Sequence, residues 1–307
     1  MPFRTQLAAL EMVSAPVIWA VAAWGASTGR EPFASWLYHF AWWPYILFLD
    51  GMLLRLTGRS WIIDRPRELA RMMFWSVTAW LVFEAANLVL GNWRYAGMTS
   101  QWWLRWPGYA LAFATVLPGV LLTAHVLEAL GAWKNAGGRP RDLGSWQPWS
   151  LILGAACLVL PLIFPGWAFP LIWVAFFFLL DPLCQLFGGP SLIAHFAAGE
   201  RREGLCLLAA GLICGVWWEL WNYGARAKWI YTLPTWDWPK VFEMPLLGYL
   251  GFLPFALECA VMYNFMKLLE ERVLLTPERR RWAYGLQMAF WITMFAALDA
   301  WTVISYQ

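Results

Sequence analysis

Long apolar stretches are the feature that most restricts how this chain can fold. Nine of them recur along the 307 residues, and each has about the 20 residues that an α-helix needs to cross the hydrocarbon core of a bilayer. Charged residues make up only 13% of the chain, about half the share of a soluble domain. The sequence therefore predicts an all-α polytopic membrane protein. The predicted spans cover residues 9–27, 35–56, 70–91, 107–130, 148–166, 169–187, 204–224, 245–269 and 282–304.

Prolines mark the places where these spans should depart from straight helices. Pro44, Pro118 and Pro254 lie in the second, fourth and eighth spans, where we expect kinks that neighbouring helices compensate. Pro161 and Pro165 interrupt the fifth span, so the sequence is compatible with eight or nine crossings.

The basic residues predict the orientation in the membrane. With nine spans and a cytoplasmic N-terminus, sixteen Lys and Arg residues fall on the cytoplasmic side and six on the other, which is the usual positive-inside bias. We therefore expect an integral protein of a bacterial inner (plasma) membrane, with the C-terminus outside. A net charge of +3 is too small to indicate a nucleic-acid partner, and the sequence specifies no protein partner.

Two parts of the chain carry the same series of residues in the same order. Each series runs through an Asp, a Ser, an Arg-Glu pair, a Glu-x-x-Asn face and a W-x-Y motif, and it closes with a Pro and a Gly-Tyr pair. Ordered self-similarity of this kind predicts an internal repeat. The matched residues include Asp50 and Asp181, Ser60 and Ser191, Glu84 and Glu219, Asn87 and Asn222, Trp93 and Trp229, Tyr95 and Tyr231, and Tyr109 and Tyr249.

We interpret residues 1–140 and 141–275 as two tandem four-helix membrane repeats and residues 276–307 as one C-terminal transmembrane helix. All three would form one compact membrane domain. Because each repeat has an even number of spans, both copies should cross the membrane in the same sense, with a pseudo-two-fold axis along the membrane normal. Two like halves that face each other commonly enclose a central cavity.

Acidic and amide side chains within or beside the predicted spans are the candidate functional groups, because ionisable side chains are costly in lipid. The candidate catalytic residues lie in the second repeat and are Glu219, Glu258, Glu243 and Asn222. Glu84 and Asn87 are their counterparts in the first repeat and are candidate substrate-binding residues. The alternative is that each Glu-x-x-Asn face only hydrogen-bonds two helices together. For Asp50 and Asp181, near the cytoplasmic ends, we expect a structural role, in pairing with an arginine or capping a turn.

Aromatic residues surround several of these groups. Trp218 and Trp221 lie within about one helical turn of Glu219, and such rings can stack on a polyene or stabilise a developing cation. The alternative for many of the 26 tryptophans is an interfacial belt. The remaining candidate substrate-binding residues follow at the outer surface and are Trp229, Tyr231 and Tyr249.

Motifs for metals and cofactors do not occur in the sequence. His39, His125 and His195 form neither an H-x-x-x-H nor an H-E-x-x-H pattern, and no P-loop or G-x-G-x-x-G is present. We therefore expect no metal site and no cofactor.

The order of Glu219, then Trp229 and Tyr231, then Glu243 and Pro245 resembles the integral-membrane lycopene cyclases of the heterodimeric and fused type. That family carries tandem membrane repeats, each with an intramembrane acid, a tryptophan-aromatic pair and a later proline-acid motif. The resemblance covers about a third of the chain, and the family's proline precedes its acids, whereas here Glu243 precedes Pro245. It implies an isomerase or intramolecular lyase of carotenoid biosynthesis.

Three classes of function stay open at this point. The first is a membrane-embedded enzyme that cyclises or isomerises an apolar isoprenoid or carotenoid, with Glu219 or Glu258 kept protonated by apolar surroundings. The second is a proton-coupled transporter or channel that uses the same acids. The third is a non-catalytic membrane subunit that buries its tryptophan-rich surface against a partner. An enzyme needs one cavity that opens towards lipid, whereas a transporter needs water access from both sides.

Overall fold

The computed structural model describes residues 2–235 and 237–307, and most of them are helical. Two short β-ribbons lie among the long helices. The helices are α1 (Pro2–Ser27), α2 (Phe33–Thr57), α3 (Trp61–Asp64), α4 (Pro66–Leu90), α5 (Trp102–Phe113), α6 (Val116–Ala129), α7 (Trp146–Ile163), α8 (Pro165–Ala168), α9 (Ile172–Leu186), α10 (Leu192–Ala197), α11 (Arg202–Gly224), α12 (Phe252–Arg272) and α13 (Pro277–Trp301). The strands are β1 (Trp93–Ala96), β2 (Lys228–Tyr231), β3 (Lys240–Val241) and β4 (Met244–Pro245).

Seven helical segments in the described part of the chain are long and apolar enough to cross a membrane. This set fits an integral membrane protein, as the sequence predicts. Two of the nine predicted spans, which correspond to α2 and α13, are outside the set, although each of these helices has 25 residues. The seven segments are Phe3–Ser27, Pro66–Leu90, Trp102–Ala129, Trp146–Ile163, Pro165–Leu186, Arg202–Gly224 and Leu246–Arg272.

Burial separates the inner helices from those at the periphery. The most apolar window of Trp102–Ala129 is 67% buried inside the protein, whereas that of Phe3–Ser27 is only 22% buried. Peripheral α1 packs on α2, and α7 packs on α9. The centre of the bundle is formed by α2, α4, α6, α11 and α12. The outer helices therefore present apolar side chains outwards, where lipid can cover them.

Ser76 on α4 holds the break between α5 and α6. Its hydroxyl donates to the carbonyl of Phe113 over 2.6 Å and accepts from the amide of Leu117 over 2.9 Å. One side chain thus replaces the helical hydrogen bond that the break removes. Pro118 follows in the first turn of α6 and Pro254 in the first turn of α12, where a missing N–H costs little. Pro44 lies inside α2.

The two W-x-Y motifs meet in one ribbon. Strand β1 follows α4, strand β2 follows α11, and the two pair antiparallel, with Trp93 opposite Tyr231 and Tyr95 opposite Trp229. The C-terminal tail adds to β1, because the amide of Ile304 donates to the carbonyl of Tyr95 over 2.8 Å. We call the side of the bundle that carries these strands the strand end.

Two turns of matching geometry lie at the opposite end of the bundle, which we call the turn end. The hydroxyl of Ser60 donates to Asp50 over 2.5 Å, and that of Ser191 donates to Asp181 over 2.6 Å. Each aspartate also accepts from main-chain amides at the start of the following short helix. Both aspartates thus cap turns, which is one of the two structural roles expected for them.

Candidate functional site

A cavity of about 180 Å³ lies at the strand end, between the central helices and the β1–β2 ribbon. Its wall combines residues from many parts of the chain, including α2, α5, α11, both strands and the segment before α12. Fourteen of the thirty described lining residues are Phe, Tyr or Trp. A concave, mostly aromatic site of this kind suits an apolar ligand.

Glu219 is the single carboxylic acid among the described residues of the cavity wall. It lies in the last two turns of α11 and is fully buried. Its Oε1 accepts a hydrogen bond from the hydroxyl of Tyr231 over 2.8 Å, whereas its Oε2 has no hydrogen-bond partner among the described residues. The Trp229 indole and the main-chain amide of Met244 lie near the carboxyl group as further donors, but Oε2 makes no close hydrogen bond with either of them.

The Tyr231 phenol is a fixed donor to this acid. Burial, followed by the neighbouring Glu219 carboxyl, raises the pKa of Tyr231 well above its ordinary value. The hydroxyl therefore stays protonated at neutral pH and holds one side of the carboxyl group in place.

Glu84 occupies the corresponding place on α4, but its surroundings differ. It accepts from the indole Nε1 of Trp80 over 2.8 Å, from that of Trp93 over 3.1 Å and 3.2 Å, and from the hydroxyl of Tyr95. Both of its oxygens are occupied, and it does not line the cavity. Glu84 was predicted to bind substrate, but it does not contact the cavity. It binds the first W-x-Y motif directly, through the side chains of Trp93 and Tyr95.

The two asparagines of the Glu-x-x-Asn faces bind backbone. Asn222 donates to the carbonyl of Trp229 over 2.9 Å and accepts from its amide over 2.9 Å. Asn87 donates to the carbonyl of Trp93 over 2.9 Å and accepts from its amide over 3.2 Å. Neither side chain lines the cavity. Each asparagine thus holds the backbone of the W-x-Y motif that follows it. Asn222, a predicted catalytic residue, therefore contacts the cavity wall only through the backbone of Trp229.

The other two candidate catalytic acids lie away from the cavity wall. Glu243 forms an ion pair with Lys228 at 2.8 Å. Glu258 is fully buried on α12, and its Oε1 accepts from the main-chain amide of Phe176 over 2.8 Å. The Oε2 of Glu258 has no partner in the described part of the chain. The structure thus places Glu258 apart from Glu219, whereas Glu243 is held by the wall residue Lys228 near enough to Glu219 for the two carboxyl groups to interact electrostatically.

The predicted aromatic residues divide between the cavity and the packing around it. Trp218, Trp229 and Tyr231 line the cavity. Trp221 packs on the rings of Trp42 and Trp217 and does not line it. Tyr249 also lies off the wall, where its hydroxyl donates to a main-chain carbonyl.

Sequence reasoning missed much of the cavity wall. The W-x-Y comparison could have found Trp93 and Tyr95, because both occupy the positions of Trp229 and Tyr231. The other rings come from separate helices, and no local pattern distinguishes them from lipid-facing aromatics. The missed aromatic residues are Trp36, Tyr38, Trp80, Trp93, Tyr95, Tyr109, Phe113, Phe169, Trp173, Phe252 and Phe255.

The two cationic side chains of the wall are paired. Arg105 forms an ion pair with Asp299 at 2.5 Å, and Lys228 forms one with Glu243 at 2.8 Å. The Nε2 of His39 lies 2.9 Å from the carbonyl oxygen of Gly108, whereas its Nδ1 has no partner among the described residues. Arg105 thus brings little unpaired charge to the wall, which keeps the site suited to a neutral ligand. Within residues 2–235 and 237–307, no three His, Cys, Asp or Glu side chains are grouped so that they could hold a metal ion.

Comparisons with known proteins give no match to this chain, whether with family models, with curated proteins or with solved structures. The resemblance to the membrane lycopene cyclases therefore stays a prediction from Glu219, the W-x-Y motif and Glu243 with Pro245.

Proposed function

We propose that this chain is a membrane-embedded enzyme that isomerises or cyclises the end group of an isoprenoid lipid. The observation that supports it is one buried carboxyl group with an unpaired oxygen in the wall of an aromatic cavity. That group is Glu219, whose Oε2 has no partner among the described residues. Glu258, the other candidate acid, does not line this cavity.

The proposed reaction is a proton transfer followed by return of a proton. The Glu219 carboxyl gives its proton to a carbon–carbon double bond of the lipid, whose π electrons form the new C–H bond. The carbocation that results is stabilised by the faces of surrounding rings such as Trp218 and Trp229. A second double bond of the lipid can attack the cation to close a ring, and loss of a proton from a neighbouring carbon restores the carboxyl group. The product is an isomer of the substrate, so atoms and electrons balance without an oxidant or reductant.

The size of the cavity restricts which part of the lipid it holds. An apolar cavity of about 150 Å³ takes up a molecule such as benzene, and this one measures about 180 Å³. It therefore suits an end group and not a whole carotenoid. The remainder of the lipid would lie in the bilayer beside the segment Leu246–Gly251, which adds two glycines to the wall and exposes Leu246, Leu247 and Leu250.

We also propose nine membrane crossings, with α2 and α13 added to the seven apolar segments. At the strand end, the amide of Arg226 donates to the carbonyl of Ala34, at the start of α2. At the turn end, α2 finishes at Thr57, and the turn that Asp50 caps through Ser60 follows. Helix α13 begins near Glu270 at the turn end, where Tyr284 donates to that acid, and its C-terminal tail reaches β1. A helix of 25 residues is about 37 Å long, enough to cross a hydrocarbon core of about 30 Å.

Matching contacts support a duplicated architecture, with repeats 1–140 and 141–275 and a last helix in 276–307. The Asp50 and Asp181 turns have the same hydrogen bonds, and so do the Asn87 and Asn222 faces. In the β1–β2 ribbon, Arg94 lies opposite Ile230, which is its own counterpart in the sequence repeat. Such self-matched pairing is what a local two-fold axis through the ribbon would produce. On the basis of the positive-inside bias we propose that the turn end lies in the cytoplasm and the cavity in the outer leaflet.

The test is the lipid that stays bound to purified protein. Wild type, Glu219→Gln and Glu258→Gln are purified in mild detergent, and extracted lipids are identified by mass spectrometry. We expect one isoprenoid species in all three, converted to an isomer of equal mass by wild type and Glu258→Gln but not by Glu219→Gln. Glu258→Gln is the matched control, because it changes an equally buried acid outside the cavity.

Other outcomes contradict the proposal in different ways. Conversion by Glu219→Gln at the wild-type rate would remove Glu219 as the acid. Recovery of bulk phospholipid alone from all three proteins would remove the isoprenoid substrate, and proton-coupled uptake into liposomes would then test the transporter alternative.

A further inference from the structure

Asn92 is a buried polar side chain that the proposed chemistry does not use. It follows Gly91, which ends α4 with a φ of 63°, and precedes β1. Its main chain is fully engaged, since its amide donates to Asn87 over 2.8 Å and its carbonyl accepts from Thr232 over 2.8 Å. Its side chain is 2% exposed and lines the aromatic cavity. The carboxamide nevertheless has no partner for Nδ2 or Oδ1 among the described residues.

A buried carboxamide without hydrogen-bond partners destabilises the folded protein. A buried donor or acceptor that lacks a partner loses its hydration without replacement, and this costs more than an ordinary hydrogen bond contributes. An apolar side chain of similar size would fill the same place without that loss. The cost is offset when a molecule in the cavity supplies the missing donor and acceptor.

Three further groups in the same wall make no close hydrogen bond. They are the Nδ1 of His39, the indole Nε1 of Trp229 and the Oε2 of Glu219, of which the Trp229 indole and the Glu219 carboxyl lie near each other. A pure hydrocarbon would leave Asn92 and the His39 Nδ1 unpaired on binding. A ligand that carries oxygen would satisfy at least one of them.

We propose that the ligand is an oxygenated isoprenoid and that the carboxamide of Asn92 recognises its hydroxyl group. A hydroxyl both accepts and donates, so it can accept from Nδ2 and donate to Oδ1 at once. This inference rests on the proposed function, because it takes the aromatic cavity as the lipid site. Asn92 is thereby a specificity residue, and Glu219 keeps the role of acid.

The experiment compares two ligands with one carbon skeleton. All-trans-retinol carries a hydroxyl group that its deoxy hydrocarbon, axerophthene, lacks, and both polyenes accept excitation energy from tryptophan. Each is titrated into wild type, Asn92→Leu and Asn264→Leu in lipid nanodiscs, with empty nanodiscs to correct for partition into lipid. Asn264→Leu is the matched control, because Asn264 is half-buried on α12 and outside the cavity.

We expect wild type and Asn264→Leu to bind retinol about tenfold more tightly than axerophthene, the ratio that corresponds to one retained hydrogen bond. Asn92→Leu should bind both ligands alike and keep the axerophthene affinity of wild type, which would also show that the variant is folded. Equal affinities of wild type for the two ligands would overturn the inference alone, since the carboxamide would then be satisfied by water. A retinol preference that survives in Asn92→Leu would overturn it as well. Failure of wild type to bind either ligand above empty nanodiscs would overturn the proposed lipid site and this inference with it.

Discussion

At the scale of single residues, Glu84 and Glu219 have the same position on equivalent helices and different surroundings. Donors from Trp80, Trp93 and Tyr95 occupy both oxygens of Glu84. Glu219 lines the cavity and accepts one close hydrogen bond, from Tyr231, while its other oxygen makes none. The first acid thus has more close donors than the second, which is the one we propose as the catalytic acid.

This difference predicts that replacing glutamate by glutamine lowers stability at position 84 and abolishes activity at position 219. In Glu84→Gln the amide oxygen can keep the donors of Trp80 and Tyr95, but the NH₂ group then faces the indole donor of Trp93, so we expect the free energy of unfolding to fall by about 1–3 kcal/mol. Glu219→Gln keeps an oxygen for Tyr231 and should leave stability nearly unchanged while it abolishes conversion of the lipid. Thermal unfolding in detergent, followed by circular dichroism, measures the first effect. Equal melting temperatures for the two variants would contradict the distinction.

Only part of the cavity wall could be predicted from the sequence. The repeat pointed to Glu219, Trp229 and Tyr231, which line the cavity, because local spacing on a helix and in a W-x-Y motif is visible in one window. Asn92 was missed, since an asparagine after a glycine is typical of an ordinary turn. Its position in the cavity wall depends on residues that are far from it in the sequence and close to it in the fold.

At the scale of elements, two predicted spans end within one residue of the helices that the structure contains. The predicted span 70–91 corresponds to α4, which ends at Leu90 and is capped by Gly91, and 204–224 corresponds to α11. The span 107–130 is divided into α5 and α6, and the bond that replaces the missing helical contact comes from Ser76 on another helix. Local patterns predict helices, but they do not show which distant side chain completes an interrupted one.

Ser76→Ala tests this bridge. The substitution leaves the carbonyl of Phe113 and the amide of Leu117 without their partner in a buried position, so we expect a loss of about 1–3 kcal/mol in the free energy of unfolding. The control is Ser14→Ala on peripheral α1, whose hydroxyl makes one long contact of 3.5 Å to the carbonyl of Glu11. Comparable melting temperatures for both variants would show that α5 and α6 do not depend on the bridge.

The attachment of α1 to the turn end should depend on pH. Hydrogen bonds from Arg4 lower the pKa of Asp64 to about 2, below its unfolded value of about 3.9. The ion pair therefore stabilises the docked helix above about pH 4, and this contribution is lost as the pH falls towards 2.

Hydrogen–deuterium exchange of the first turns of α1 measures this dependence after correction for intrinsic rates. We expect protection to decrease progressively between pH 5 and pH 2 in wild type, by an amount that Asp64→Asn removes. A decrease of the same size in Asp64→Asn would assign the effect to another group.

At the scale of the whole molecule, the ribbon of β1 and β2 joins parts of the chain that the sequence places more than a hundred residues apart. Arg94 lies opposite Ile230, and opposed residues in an antiparallel pair have Cβ atoms about 4.5–5.5 Å apart. We expect Arg94→Cys with Ile230→Cys to form a disulfide on mild oxidation, detected by mass spectrometry of the linked peptides. The five native cysteines are buried and should not interfere. Arg94→Cys with Lys240→Cys is the control, and equal cross-linking in both pairs would contradict the register.

The proposed count of nine crossings leads to a prediction about the strand end and the turn end of the bundle. Gln307 is exposed and its amide donates to Met98 at the strand end, whereas Asn135 is exposed in the loop after α6 at the turn end. If α13 crosses the bilayer and the turn end is cytoplasmic, a membrane-impermeant thiol reagent should label Gln307→Cys in intact cells. Asn135→Cys should be labelled only after the membrane is opened. The reverse pattern would invert the orientation, and labelling of both residues from one side would mean that the strand end and the turn end are not separated by the membrane. Since the buried acid Glu219 lies at the strand end, the same measurement decides from which leaflet a lipid reaches the cavity.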